Sequence, residues 1–164
     1  MIGNTPLIPL ERMKAVQNWQ AEVLVKCEWC NPAGSAKDRA VQFMLDDALA
    51  KGLLAPGGTV VESTSGNTGI ALAAQGSARG FSVVIVMPGS MSKERISLMR
   101  ARGAQVVLTP AALGMQGAVK EAERIVESTP GAMILGQFDN PANALAAYGC
   151  FVCCDGGDLT RALF

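Results

Sequence analysis

From Thr59 onward, short apolar runs alternate with helical segments at a spacing that few folds accommodate. "TVVE" (Thr59 to Glu62) leads through "STSGNTG" into a helix expected from about Ile70 to Arg79. "FSVVIVM" leads through "PGS" into a helix near Lys93 to Arg102, "AQVVLT" precedes a helix near Gln116 to Ser128, and "AMILGQF" closes the series. Strand–helix alternation of this kind is the signature of a parallel sheet covered on both faces. Runs such as Val83-Val84-Ile85-Val86 lack a period of two, as expected of strands buried on both sides. The expected class is α/β: an open, mostly parallel sheet with helices on both faces. The helix after "STSGNTG" is nearly all small and apolar, so it should be packed on several sides, whereas the last helix sets Val119, Ala122, Ile125 and Val126 against a wet face of Lys120, Glu121, Glu123 and Arg124.

Upstream, "NPAGSAKDR" (Asn31 to Arg39) ends in a helix whose Val41, Met44, Leu45, Ala48 and Leu49 fall on one stripe, with Gly52 as its stop. Ser35 is the expected N-cap and Asp38, three residues on, completes a capping-box pattern. Lys37 then lies in the first turn, where the partial positive charge of a helix N-terminus opposes an ammonium and suits the neutral amine that attacks a carbonyl. From this stretch alone, a nucleophilic lysine and an ordinary solvated one both stand.

Composition removes several classes of function. Basic and acidic residues balance at 14 each, with no basic block, so the electrostatic footprint of a nucleic-acid binder is missing. No apolar run is long enough to span a bilayer, the N-terminus lacks the order of a signal peptide, and a cytoplasmic location is expected. With 49% hydrophobic residues the chain can bury a core. Histidine is absent, which excludes Ser-His, Cys-His and histidine–metal chemistry. Of five cysteines, Cys27 and Cys30 form one Cys-x-x-Cys pair and Cys150 and Cys153 another. Their long separation fits no compact zinc module, so buried or idle thiols are expected and no metal.

"STSGNTG", Ser63 to Gly69, lies between a strand and a helix, where open α/β sheets bind ligands. Gly66 and Gly69 allow close backbone approach, and Thr64, Ser65, Asn67 and Thr68 add neutral hydrogen-bonding groups beside free helix amides. The loop suits a carboxylate or a phosphate, though an ordinary glycine-rich turn has the same composition. It lacks the Gly-Lys-Ser/Thr ending of a P-loop and the Gly-x-Gly-x-x-Gly fingerprint of a dinucleotide site.

Taken in order and spacing, "IGNTPL", "NPAGSAKDR", "STSGNTGIALA", "MPGSMSKERISLMRARGAQVVLT", "GMQGAVKEAERI" and "GQFDNPAN" resemble the cysteine synthases, or O-acetylserine sulfhydrylases. These are pyridoxal-phosphate enzymes of the β-family, fold type II, together with cystathionine β-synthase. The resemblance runs from Ile2 to Asn143 and implies a role for each matching residue. Lys37 matches the lysine that binds the aldehyde of pyridoxal 5'-phosphate and later carries the substrate α-proton. Asn67 matches the residue bonded to the cofactor's 3-hydroxyl. Thr64, Ser65, Gly66 and Thr68 match the loop gripping the substrate α-carboxylate, and Gln137 matches a glutamine on the same carboxylate. The implied reaction is β-replacement on a small amino-acid substrate: O-acetyl-L-serine loses acetate and sulfide takes its place, giving L-cysteine. A homodimer is implied as the family's assembly, with no nucleic acid or membrane partner.

Beyond Asn143 the resemblance stops. Residues 1–143 read as the N-terminal region of such an enzyme, and 144–164, "ALAAYGCFVCCDGGDLTRALF", as a divergent, poorly specified tail. The family's C-terminal half, with its glycine and threonine-rich phosphate loop and the hydroxyl facing the pyridine nitrogen, has no counterpart. "CDGGDL" pairs its glycines with two carboxylates, which would repel a phosphate. Two classes of function therefore remain: a cofactor-binding enzyme completed by another chain, or a non-catalytic fragment associating with intact subunits. A fold half of this kind should also leave apolar surface uncovered.

Overall fold

The computed structural model describes residues 1–146. Near the N-terminus, β1 (Leu7–Pro9) pairs antiparallel with β2 (Leu24–Lys26) around α1 (Glu11–Gln17). The chain then runs through α2 (Lys37–Ala50), β3 (Thr59–Ser63), α3 (Asn67–Ala78), β4 (Ser82–Pro88), α4 (Lys93–Ala101), β5 (Gln105–Thr109), α5 (Gly114–Ser128) and β6 (Ala132–Ile134). A further helix, α6, spans 141–146. The main sheet has the order β5-β4-β3-β6 with every pair parallel, as the alternation requires.

Both faces of this sheet are covered. Val60, Val83, Ile85 and Met87 point into a core shared with α2, α3 and α4, while Val61, Val84 and Val86 meet Ala118 and Ala122 of α5. Side chains alternate between faces along each strand, but the sequence shows no period of two because both destinations are apolar. The α2 stripe is buried at Val41, Met44, Leu45 and Ala48 and half-buried at Leu49. At its end, Gly52 takes φ +68° and the Leu53 amide donates to the Ala48 carbonyl at 2.9 Å, which satisfies an orphan carbonyl of the last turn.

Several details depart from the sequence reading. Helix α3 begins at Asn67 rather than near Ile70, and α5 begins at Gly114. In α5 the inner stripe runs through Ala118 and Ala122, with Val119 at its exposed edge, because alanine lets the helix approach the valines of β3 and β4 closely. The β1–β2 pair is not among the strands expected from the alternation, which begins at Thr59. Of the expected irregular tail, 144–146 belong to α6, whose Ala142 and Ala146 enter the main core, and 147–164 lie outside the described residues. Apolar surface is left uncovered: α1 buries no residue, and Leu7, Ile8, Val16 and Leu24 are exposed, as are Trp29 and Phe138.

Gly76 marks the closest approach of α3 to the sheet, since a Cβ there would collide with Val83 Cγ2. On an open helix Gly→Ala gains about 1 kcal/mol, whereas overpacking a core costs about 1–3 kcal/mol. Gly76→Ala should therefore lower stability in denaturant melts, and adding Val83→Ala should cost less than the sum of the two single changes.

Candidate active site

The β3–α3 loop is held from three directions. The Thr64 amide donates to the Val86 carbonyl at 3.1 Å, extending the parallel pairing one residue past β3. The Arg95 guanidinium donates to the Ser65 carbonyl at 3.0 Å from α4, whose own start is capped by Ser92. The Gly66 amide turns back to Thr64 Oγ1 at 3.4 Å. Gly69 fits beneath this loop: an added Cβ would lie 2.9 Å from Met99 Cε and 3.0 Å from Thr64 Cγ2. Because α3 starts early, Asn67 and Thr68 are first-turn residues, and among the described residues their amides have no backbone acceptor. Thr64 and Thr68 are buried, Ser65 and Gly66 half-buried, and Asn67 exposed. Nothing lies within 4 Å of a Cβ added at Gly66, so the space before the helix terminus is open.

Gln137 reaches this loop from the next strand. After β6 the Leu135 amide still donates to Val61 at 3.2 Å; Gly136 then turns the chain at φ +71°. Gln137 follows, and the Thr68 hydroxyl donates to its Oε1 at 2.6 Å. Two residues 69 apart in sequence are joined because β3 and β6 are neighbours whose C-terminal ends open on the same edge. Sequence reasoning missed Glu62, which is 1% exposed at the end of β3 and accepts the Gly136 amide at 2.8 Å. Burial pushes its carboxyl up, opposed by N–H groups of Gly136 and Gln137. The available signal was a lone carboxylate ending the apolar run "TVVE".

Lys37 opens α2 on a braced turn. Ser35 Oγ accepts the Lys37 amide at 3.2 Å, and Asp38 Oδ2 accepts the Ser35 amide at the same distance. Only half of the expected capping box forms: Asp38 returns to the Ser35 amide, but the N-cap is Ala36 rather than Ser35, because the Ser35 hydroxyl takes the Lys37 amide while the Asp38 amide bonds the Ser35 carbonyl at 3.3 Å. Asp38 Oδ1 also accepts the Ala33 amide at 2.7 Å, and Gln75 of α3 donates to the Asp38 carbonyl at 2.7 Å. Behind the turn, Arg39 grips Glu28 through Nε and Nη2 at 3.0 Å each and Thr5 Oγ1 at 3.1 Å. Asn31 donates to Glu28 and accepts the Gly3 amide. Although burial opposes it, the bonds from Arg39, Thr5 and Asn31 hold the Glu28 carboxyl down at about 2.

The Lys37 side chain is half-buried and its amine takes part in none of the four ion pairs among the described residues. No hydrogen bond among those residues joins it to Asn67, so the structure brings Thr64, Ser65, Gly66, Asn67, Thr68 and Gln137 together and sets Lys37 on the adjoining helix. An unpaired amine suits an aldehyde carbon, and neutral donors at a helix terminus suit a carboxylate or a phenolic oxygen. This donor set fits the aldehyde and hydroxyl side of pyridoxal phosphate. Cys27 is buried, its thiol pushed up by burial, Cys30 is exposed, and both are free. Among the described residues no cluster could hold a metal; Cys150 and Cys153 lie outside them.

A family model described as pyridoxal-phosphate dependent enzyme matches residues 1–152. The chain belongs to that family. A probable cysteine synthase of Bacillus subtilis is 48% identical over 143 residues, 87% of this chain and 45% of the relative. A cystathionine beta-synthase of Apis mellifera is 43% identical over 150 residues, 90% of this chain and 30% of the relative. The crystal structure of the Entamoeba histolytica cysteine synthase superposes with a TM-score of 0.82 at 41% identity, covering 88% of this chain and 44% of that one. The family's cofactor is pyridoxal phosphate, and the chain spans about half the length of the cysteine synthases it resembles. No helix among the described residues is long and apolar enough to cross a membrane.

The Glu28–Arg39 bracket yields an acid signature. A carboxyl held at about 2 in the fold against 4.5 ordinarily binds fewer protons folded than unfolded. Its contribution is complete above pH 4.5 and is lost as pH falls toward 2. Glu28→Gln should flatten the acid limb of the stability–pH curve, and Arg39→Ala should cost about 2 kcal/mol at neutral pH by leaving the half-buried Glu28 carboxylate with only its bonds from Thr5 and Asn31. Denaturant melts across pH check both.

Proposed function

We propose that this chain is the cofactor-anchoring part of a cysteine synthase, replacing the acetate of O-acetyl-L-serine with sulfide to give L-cysteine. The observation that carries the reading is the Thr68–Gln137 bond, which draws two loops into one neutral, donor-rich grip beside a helix terminus. Thr64, Ser65, Gly66, Thr68 and Gln137 bind the substrate α-carboxylate and fix its orientation. Asn67 would donate to the ring hydroxyl of the cofactor. Lys37 would hold the cofactor aldehyde, and its amine would carry the substrate α-proton. When bound, pyridoxal phosphate supplies an electron sink for the pair left at the α-carbon.

Residues 1–143 form the catalytic N-terminal region in this reading, with 144–146 continuing its last helix into the core. The donor set suits the aldehyde and hydroxyl of the cofactor; the phosphate contacts would come from outside these residues. A homodimer, the assembly of the intact family, is the proposed form. Two alternatives rest on specific observations. The identity to a cystathionine beta-synthase favours a thiol other than sulfide as nucleophile, and the uncovered apolar side chains of β1, α1 and β2 favour a non-catalytic fragment that joins intact subunits.

Purified chain supplied with pyridoxal phosphate, O-acetyl-L-serine and sulfide should release acetate and form cysteine, with Lys37→Ala reduced to background. Replacing sulfide by homocysteine separates the cystathionine reading. Absence of turnover in both assays, with comigration of the chain and a full-length cysteine synthase on a sizing column, would replace the enzyme reading by the fragment one.

A further inference from the structure

We propose that Glu62 is the positioning residue of the carboxylate grip, fixing the Gly136–Gln137 turn and, through the Gln137 amide, the direction of the Thr68 hydroxyl. The inference deepens the proposed function and rests on its reading of Gln137 as a carboxylate ligand. Glu62 is almost wholly buried, in a strand whose other buried residues are Val60, Val61 and Ser63, so its polar head must be matched locally. The groups that meet it are donors: the Gly136 amide at 2.8 Å, with the backbone and side-chain N–H groups of Gln137 beside it. These N–H groups favour the ionised form against the push of burial, and an ionised carboxylate can only accept. Gln137 must therefore turn its NH2 toward Glu62, which leaves Oε1 facing Thr68, where the 2.6 Å bond is found.

The consequence runs into the site by counting hydrogens. Thr68 has one hydroxyl proton, and donating it to Gln137 leaves its first-turn amide as the donor it can offer a substrate carboxylate. The other groups free to donate among the described residues are the second Gln137 N–H, the Thr64 and Ser65 hydroxyls and the Asn67 amide. An amide at position 62 can donate as well as accept, so it no longer dictates which way Gln137 lies, although its shape is nearly the same.

Nitrogen-15 NMR of the isotope-labelled chain tests this with Glu62→Gln and Thr68→Val. In the native protein the Gly136 amide proton and one Gln137 side-chain proton should sit downfield, as bonds to a buried carboxylate require. In Glu62→Gln both should move upfield. Thr68→Val should leave both in place, since the orientation comes from Glu62, and it decides the matter should Glu62→Gln not fold. Unchanged Gly136 and Gln137 signals in a folded Glu62→Gln, or loss of the downfield Gln137 signal in Thr68→Val, would overturn the inference. O-acetyl-L-serine titrated into the chain with pyridoxal phosphate separates the underlying reading: affinity should fall about tenfold in Glu62→Gln, the weight of one charge-assisted bond. Signals that move while affinity stays the same would overturn the carboxylate grip and leave the Glu62 orientation standing.

Discussion

Everything in this molecule that resembles a site depends on β3 pairing in parallel with β4 on one side and β6 on the other. Parallel neighbours discharge their following loops at one edge of the sheet, so Thr64–Thr68 and Gly136–Gln137 meet there without any local sequence relationship. The same pairing buries β3 on both faces, which makes Glu62 expensive to keep and ties its carboxylate to the turn after β6. A slip of one residue in the β3–β6 register would turn Glu62 to the opposite face and undo both loops.

A second constraint acts on Lys37. Among the described residues the lysine has no ion pair, yet the turn beneath it is braced by Ser35, Asp38 and the Glu28–Arg39–Thr5 cluster. The bonds of this turn fall on its backbone and on the Glu28–Arg39 pair, and among the described residues none engages the Lys37 amine. That division suits an amine that must stay available to a carbonyl. The same cluster anchors the N-terminal segment through Gly3 and Thr5, which makes "IGNTPL" part of the support for α2.

Much of this was legible in the sequence because the relevant signals are local. The strand–helix alternation points to the sheet class, the 3.6-residue stripe locates α2, and the Ser35–Asp38 spacing anticipates the return of Asp38 to the Ser35 amide, though the N-cap itself falls on Ala36. The misses are non-local or conformational. Asn67, Thr68 and Gly69 are poor helix formers, so the pattern placed the start of α3 at Ile70, whereas packing of Gly69 under Met99 and Thr64 draws the helix forward. The pairing of β1 with β2 joins segments too short to declare themselves. Glu62 looked like the polar end of a strand, because burial and partners are properties of the assembled sheet. Gln137 was identified through the family motif alone, and its bond to Thr68 follows from topology.

The central claim is that the Lys37 amine is the group that engages the cofactor. Incubating the chain with pyridoxal phosphate, reducing with borohydride and mapping the labelled peptides by mass spectrometry reads this directly. The account predicts label on Lys37 in preference to Lys14, Lys26, Lys51, Lys93 and Lys120, and its loss in Lys37→Ala. Label spread evenly over those lysines, unchanged in the variant, would contradict it.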